Sequence, residues 1–235
     1  MKWIKYLALT AIVFCSETLF AYSKSEPLRI GVSEITALLT TPDKPPGAYN
    51  KVLKEFSDLD LYFASPARVD LLFEKQDVDC LFPASTATIP NPDSFISSKP
   101  INITKAYIFS LTTYQSIQEF EGKRLAIRRG LSIGNIRKKF NAQYINIDSD
   151  TALIKFLHKN RTDGIIAYIA DINSAYKALE LPLDYYNQEN PIHASLDAFV
   201  CHKTEINDEK MKEINKKIKE LSSSGKLSSL LKSVK

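Results

Sequence analysis

Short apolar runs of strand character alternate with segments of helical period, and the alternation occurs in two successive sets along the chain. In the first set, Leu28 to Val32, Leu59 to Ala64 and Asp79 to Phe82 read as strands. Between them, Tyr49 to Phe56 places Val52, Leu53 and Phe56 on one helical face, and Arg68 to Lys75 does the same with Val69, Leu72 and Phe73. A longer strand is expected from Ala106 to Thr113. The second set has strands at Lys123 to Arg128, Tyr144 to Ile147 and Gly164 to Tyr168, with helices at Ile133 to Phe140, Thr151 to His158 and Ile172 to Leu179. Ser132 stands where an N-cap to the first of these helices belongs. A last strand, Leu196 to Cys201, precedes two helices, Asp208 to Ser222 and Lys226 to Ser233, with Gly225 in a C-cap position. Such alternation predicts an α/β protein of two lobes, each a mainly parallel sheet flanked by helices. Ligands of such sheets bind beyond the carboxyl ends of the strands, and a lobe interface favours a pocket.

The N-terminus carries a different signal. Lys2 and Lys5 precede an apolar run from Tyr6 to Cys15, and Leu19-Phe20-Ala21 offers a small residue for cleavage. Residues 1–21 therefore read as a secretory signal peptide, the run being too short for a hydrocarbon core about 30 Å thick. A periplasmic product is expected, without membrane insertion after cleavage. Net charge is +4 in 235 residues, with basic residues dispersed or on a helix face, so no nucleic-acid partner is expected.

With Cys15 in the signal, Cys80 and Cys201 remain. Both sit in apolar strand-like runs. An oxidising compartment permits a disulfide, and two buried thiols acting as small apolar side chains fit the same runs. The three histidines are scattered and no paired ligands accompany them, so neither metal nor other cofactor is expected.

Several segments, in order, resemble the amino-acid-type (family 3) periplasmic solute-binding proteins of the type II Venus-flytrap class. They are Leu28 to Val32, Asp77-Val78-Asp79-Cys80, Ser97 to Pro100, Gly122 to Ile127 with Gly130, Arg161 to Ile166, and Asn215 to Leu227. The resemblance implies lobe one from residues 22–104 and 196–235, lobe two from 105–195, and closure about the crossing segments near Ile103 and Leu196. It also implies that the strand ending at Cys201 lies antiparallel near the Asp79 to Pro83 strand, which brings Cys80 and Cys201 together. A monomer is implied, working with an ABC transporter permease or a sensor receptor.

The family's ligand positions fall unevenly on this chain. Ser33, Glu34, Ser85 and Thr86 stand at ligand-facing strand ends. The family's carboxylate-binding arginine falls on Asn91, and its ammonium-binding aspartate on Tyr168, so both charge partners are replaced. Tyr168 is open to two roles, contacting a ligand or packing within its lobe. The loop Arg128-Arg129-Gly130-Leu131-Ser132, leading into a helix, has the guanidinium groups, hydroxyl and backbone N–H groups of an anion cradle. With Arg68 beside the cleft, these residues predict a small polar, anionic ligand. Glu34 is the obvious cleft carboxylate.

One enzyme reading competes. Gly130-Leu131-Ser132-Ile133-Gly134 matches the G-x-S-x-G nucleophile elbow of serine hydrolases, with Asp163 or Asp171 and then His193 or His202 in the right chain order. It lacks an upstream His-Gly-Gly oxyanion segment, and two arginines replace the apolar strand end. A dehydratase or sensor module on the same fold is a further alternative; a binding protein without catalysis is the expectation.

Overall fold

The computed structural model describes residues 26–33, 38–86, 89, 91–134 and 136–232. The expected signal peptide, 1–21, and Glu34 lie outside the described residues.

The first half of the molecule begins with β1 (Leu28–Ser33), α1 (Ala48–Leu53), β2 (Leu59–Ala64), α2 (Pro66–Glu74) and β3 (Cys80–Ala84). β1 lies between β2 and β3 and is parallel to both. Buried between two neighbours and under helices on both faces, such a strand must be apolar along its length, as Ile30, Gly31 and Val32 are. α2 starts at Pro66, whose missing N–H costs nothing in a first turn. It crosses β1 so closely that a Cβ on Gly31 would sit 2.9 Å from Cγ1 of Val69.

The second half repeats the plan with β6 (Arg124–Arg128), α3 (Ile136–Lys139), β7 (Gln143–Ile147), α4 (Asp150–His158), β8 (Gly164–Tyr168) and α5 (Ile169–Ala178). Here β6 lies parallel to β7 and β8. Ser149 caps α4 by accepting from the Ala152 N–H, and Leu153, Ile154 and Leu157 face inward at helical spacing.

Two long strands join the halves. β5 (Asn102–Phe109) and β9 (His193–His202) run antiparallel, with Asn102 opposite Asp197 and Ala106 opposite His193. The second part of β9 then pairs antiparallel with β3 and with β4 (Phe95–Ser97). The strand order is β2-β1-β3-β9-β5-β8-β6-β7, with β4 also on β9. Strands native to each half are parallel, and the antiparallel pairs are those made by the connecting strands and β4. The chain closes with α6 (Glu205–Ser223) and α7 (Lys226–Lys232), which return to the first half, where Met211, Ile214, Ile218 and Leu221 pack with Tyr49, Val52 and Phe199. No helix among the described residues is long and apolar enough to cross a membrane.

Cys80 and Cys201 lie opposite each other in the β3–β9 ladder and form a disulfide. Two sequence expectations are corrected. The strand expected at Ala106 to Thr113 starts at Asn102 and ends at Phe109, because pairing with β9 extends it backwards through a polar stretch. The helix expected from Ile133 is a single turn beginning at Ile136, so Ser132 is a loop residue and not its cap.

A candidate ligand-binding cleft

A cavity of about 720 Å³ lies between the halves, walled by the ends of β1 and β3, by α2, by both connecting strands, and by the loop after β6. Ser33, Ser85, Asn91, Arg128, Gly130, Ser132 and Tyr168, drawn from both halves, all line it. Arg68, Thr86 and Arg129 are not part of its wall. Asn91 stands at the rim in a left-handed conformation (φ 54°), leading into a 3₁₀ turn, Pro92–Ser94. The Tyr168 hydroxyl donates to the backbone carbonyl of Ser132 at 2.9 Å, tying β8 to the loop after β6.

The two arginines of that loop part company. Arg128 turns inward: Nη1 donates to Asp150 at 3.0 Å and Nη2 approaches Asp171 at 3.5 Å. Arg129 points outward and pairs with Asp148 at 3.0 Å, both side chains being exposed. The anion cradle expected from the sequence thus loses its supports. One guanidinium is already held by two carboxylates, the other lies outside the cavity, and a four-residue helix has no developed dipole at its start. Nor is a nucleophile elbow formed, since such a serine stands at the turn between strand and helix and Ser132 is followed by further loop before Ile136.

Carboxylates dominate the wall instead. Asp70 and Glu74, one turn apart on α2, line it with exposed side chains, and partial loss of hydration together with the charge of Glu74 holds the Asp70 carboxyl above its ordinary range. Asp171, in the first turn of α5, is only 3% exposed, and its Oδ1 has no hydrogen-bond partner. Burial pushes its carboxyl up to about 7; Arg128 opposes the shift, and the charges of Asp150 and Asp197 reinforce it. Asp197, buried on β9, accepts from the Tyr49 hydroxyl and from Thr104 Oγ1 at 3.2 Å, while Asn102 Nδ2 donates to the Tyr49 oxygen at 3.0 Å. Burial raises the Asp197 carboxyl, and hydrogen bonds from Tyr49, Ser195 and Thr104 pull against the rise.

Sequence reasoning missed Asp70, Glu74, Asp171 and Asp197 as a group. They come from α2, α5 and β9, and no spacing links them. One signal was present: Asp171 breaks the apolar face formed by Ile172, Ala175 and Tyr176, and a charge there is buried or at an edge.

Apolar residues line the cavity too, among them Val69, Phe73 and Leu81, which pack together in one cluster. His202 also contributes, its ring 4.1 Å from that of Phe73 and its Nε2 within 2.7 Å of the Phe73 carbonyl. The cleft therefore combines buried carboxylates of α5 and β9, apolar residues, and exposed carboxylates of α2.

No family model and no curated protein matches the sequence. Solved structures do match, over nearly the whole chain. The substrate-binding protein of an amino acid ABC transporter superposes with a TM-score of 0.69 at 15% identity, covering 88% of this chain and 98% of that one. The GluR0 ligand-binding core in complex with L-glutamate gives 0.71 at 13% identity, covering 90% and 99%. An arginine transport-system periplasmic binding protein from Legionella pneumophila gives 0.65 at 16% identity, covering 90% and 100%. The chain has the two-lobed type II periplasmic-binding fold that the sequence resemblance implied.

Proposed function

We propose that this chain is an extracytoplasmic solute-binding protein of the amino-acid type, which captures a small polar ligand between its lobes without chemically altering it. One observation carries the reading: a cavity of about 720 Å³ is walled by both halves and by the two strands that connect them. A ligand touching all three parts makes more contacts when the halves are closed, and that difference in binding free energy shifts the population toward closure.

Residues 22–104 and 196–235 form one lobe in this reading and 105–195 the other. The bend falls where Ile103 faces Leu196, whose side chains are 57% and 49% exposed and have few packing partners to strain. The exported protein works as a monomer in the periplasm and presents its closed form to an ABC transporter. Similarity to binding proteins of amino-acid transporters supports this assignment. The anionic ligand expected from the sequence is set aside, because Arg128 is the one cavity-lining arginine among the described residues and two aspartates engage it.

Thermal unfolding of the exported protein against a broad metabolite panel tests the proposal. A ligand at a hundred times its Kd stabilises the native state by about 2.7 kcal/mol, which raises the midpoint by several degrees. Small-angle scattering with the same compound should record compaction. A panel that stabilises nothing, or a ligand that binds without compaction, would count against a closing solute-binding protein.

A further inference from the structure

The cleft's charges do not balance. Its wall holds the carboxylates of Asp70, Glu74, Asp171 and Asp197 against the single guanidinium of Arg128. Around Asp171 the imbalance is sharper, because Asp150, behind the wall, takes the shorter of the two Arg128 contacts. Asp171 receives only the 3.5 Å approach to Oδ2 and nothing at Oδ1. A buried carboxylate oxygen without a donor is destabilising, and a donor from outside the chain relieves that cost. Asp197 is already well supplied, by Tyr49 and Thr104, and its charge adds to the field at Asp171.

We infer that Asp171, supported by the field of Asp197, docks the cationic group of a small organic cation, a primary ammonium or guanidinium compound whose apolar stem meets the cleft-lining cluster of Val69, Phe73 and Leu81. This inference rests on the solute-binding reading proposed above and assigns that site its ligand class. The role falls on Asp171 in α5 and not on Tyr168 of β8, whose hydroxyl is committed to the Ser132 carbonyl. An N–H donor at Oδ1 completes the hydrogen bonding of Asp171, and its charge offsets the excess of aspartates over Arg128. Asp70 and Glu74 on α2 add a negative potential that draws cations toward the cleft.

The test uses the exported protein with agmatine, putrescine, phenethylamine and L-arginine as cationic probes, and succinate, citrate and glutarate as acidic ones. Thermal shift identifies a binder and calorimetry gives its Kd. The expected result is stabilisation by at least one cationic probe, with Asp171→Asn raising that probe's Kd by about tenfold or more while circular dichroism stays native. Stabilisation by the acidic probes alone, or a cationic probe whose Kd is unchanged in Asp171→Asn, overturns the inference and leaves solute binding standing. Failure of every probe and of the broader metabolite panel overturns both. Should Asp171→Asn fail to fold, the wild type decides by pH. The groups facing Asp171 are Arg128 on β6, Asp150 on α4, Asp197 on β9, Tyr168 on β8 and Tyr49 on α1. Burial and these carboxylates hold both tyrosine hydroxyls above their ordinary range, and protonation of an aspartate weakens the hold on a cation. The cationic probe's affinity must therefore fall several-fold between pH 8 and 5.5, and constant or rising affinity overturns the inference.

Discussion

Asp171 approaches the guanidinium of Arg128 at 3.5 Å through one carboxylate oxygen and leaves the other buried without a partner, in the wall of the cleft. The pair is therefore incomplete. It anchors Arg128 with help from Asp150, and it leaves Asp171 with unmet hydrogen-bonding capacity in that wall.

The neighbouring arginines should behave as opposites on substitution. Arg128→Ala strips the counter-charge from Asp150 and Asp171, both buried, and should cost about 3–5 kcal/mol at neutral pH. Arg129→Ala removes only an exposed pair with Asp148 and should change stability by no more than about 0.5 kcal/mol. Urea denaturation of both variants checks this, and equal losses would refute the assignment of Arg128 to the interior.

Stability should also carry the signature of Asp171 in its pH dependence. The folded carboxyl titrates near 7, above the ordinary value of about 3.9 in an unfolded chain. Between those values the native state binds the extra proton, so stability is greatest at the acid end and falls as pH rises toward 7. Asp150 and Asp197 are raised too and act in the same direction, so the informative quantity is a difference. The wild-type midpoint minus that of Asp171→Asn should decline from pH 4 to 7 and then level. Parallel curves would mean that Asp171 titrates normally.

Tyr49 supports the base of the cleft. Its hydroxyl donates to Asp197 and accepts from Asn102 on β5, linking α1 to both connecting strands. Tyr49→Phe keeps the ring against Phe82 but takes one donor from Asp197, which keeps Thr104, and leaves Asn102 without that acceptor. The expected loss is about 1–3 kcal/mol, read by chemical denaturation. Asp197 should titrate higher still in the variant, since the hydrogen bond that most favours its charged form is gone.

The Cys80–Cys201 bridge spans a sequence separation of 121 residues. Loop-closure entropy assigns a cross-link of this span roughly 4–5 kcal/mol of stability as an upper figure. Reductant, or replacement of both cysteines by serine, should lower the melting midpoint by about 10 °C. Ligand affinity should remain, because neither cysteine lines the cleft. A midpoint unmoved by reductant would show that the bridge adds nothing to stability.

The element pattern was readable in advance because each strand and helix is set by its own residues. Leu59–Ala64 is bounded by the turn-forming and polar residues Asp58 and Ser65. Errors fell where a partner strand decides. Asn102–Lys105 is polar enough to read as loop, and it is strand because β9 supplies its ladder from Asp197 to Ala194. Ser132 offered cap chemistry and Arg128-Arg129 offered anion chemistry, but neither residue type states which way its side chain turns.

For the cleft, the sequence determined that strand ends from two α/β units would converge, and so placed Ser33, Ser85, Arg128 and Tyr168 in one wall. Only the tertiary structure decided the sign of the charge there. Arg128 is 22 residues from Asp150 and 43 from Asp171, and which of them neutralises the other depends on how α4 and α5 pack against β6. Hydrophobic periodicity fixes which face of an element is buried, because burial is a local preference repeated along the chain. The balance of charge in a cavity is a sum over residues distant in sequence, and it exists only once packing has brought them within a few ångströms of one another.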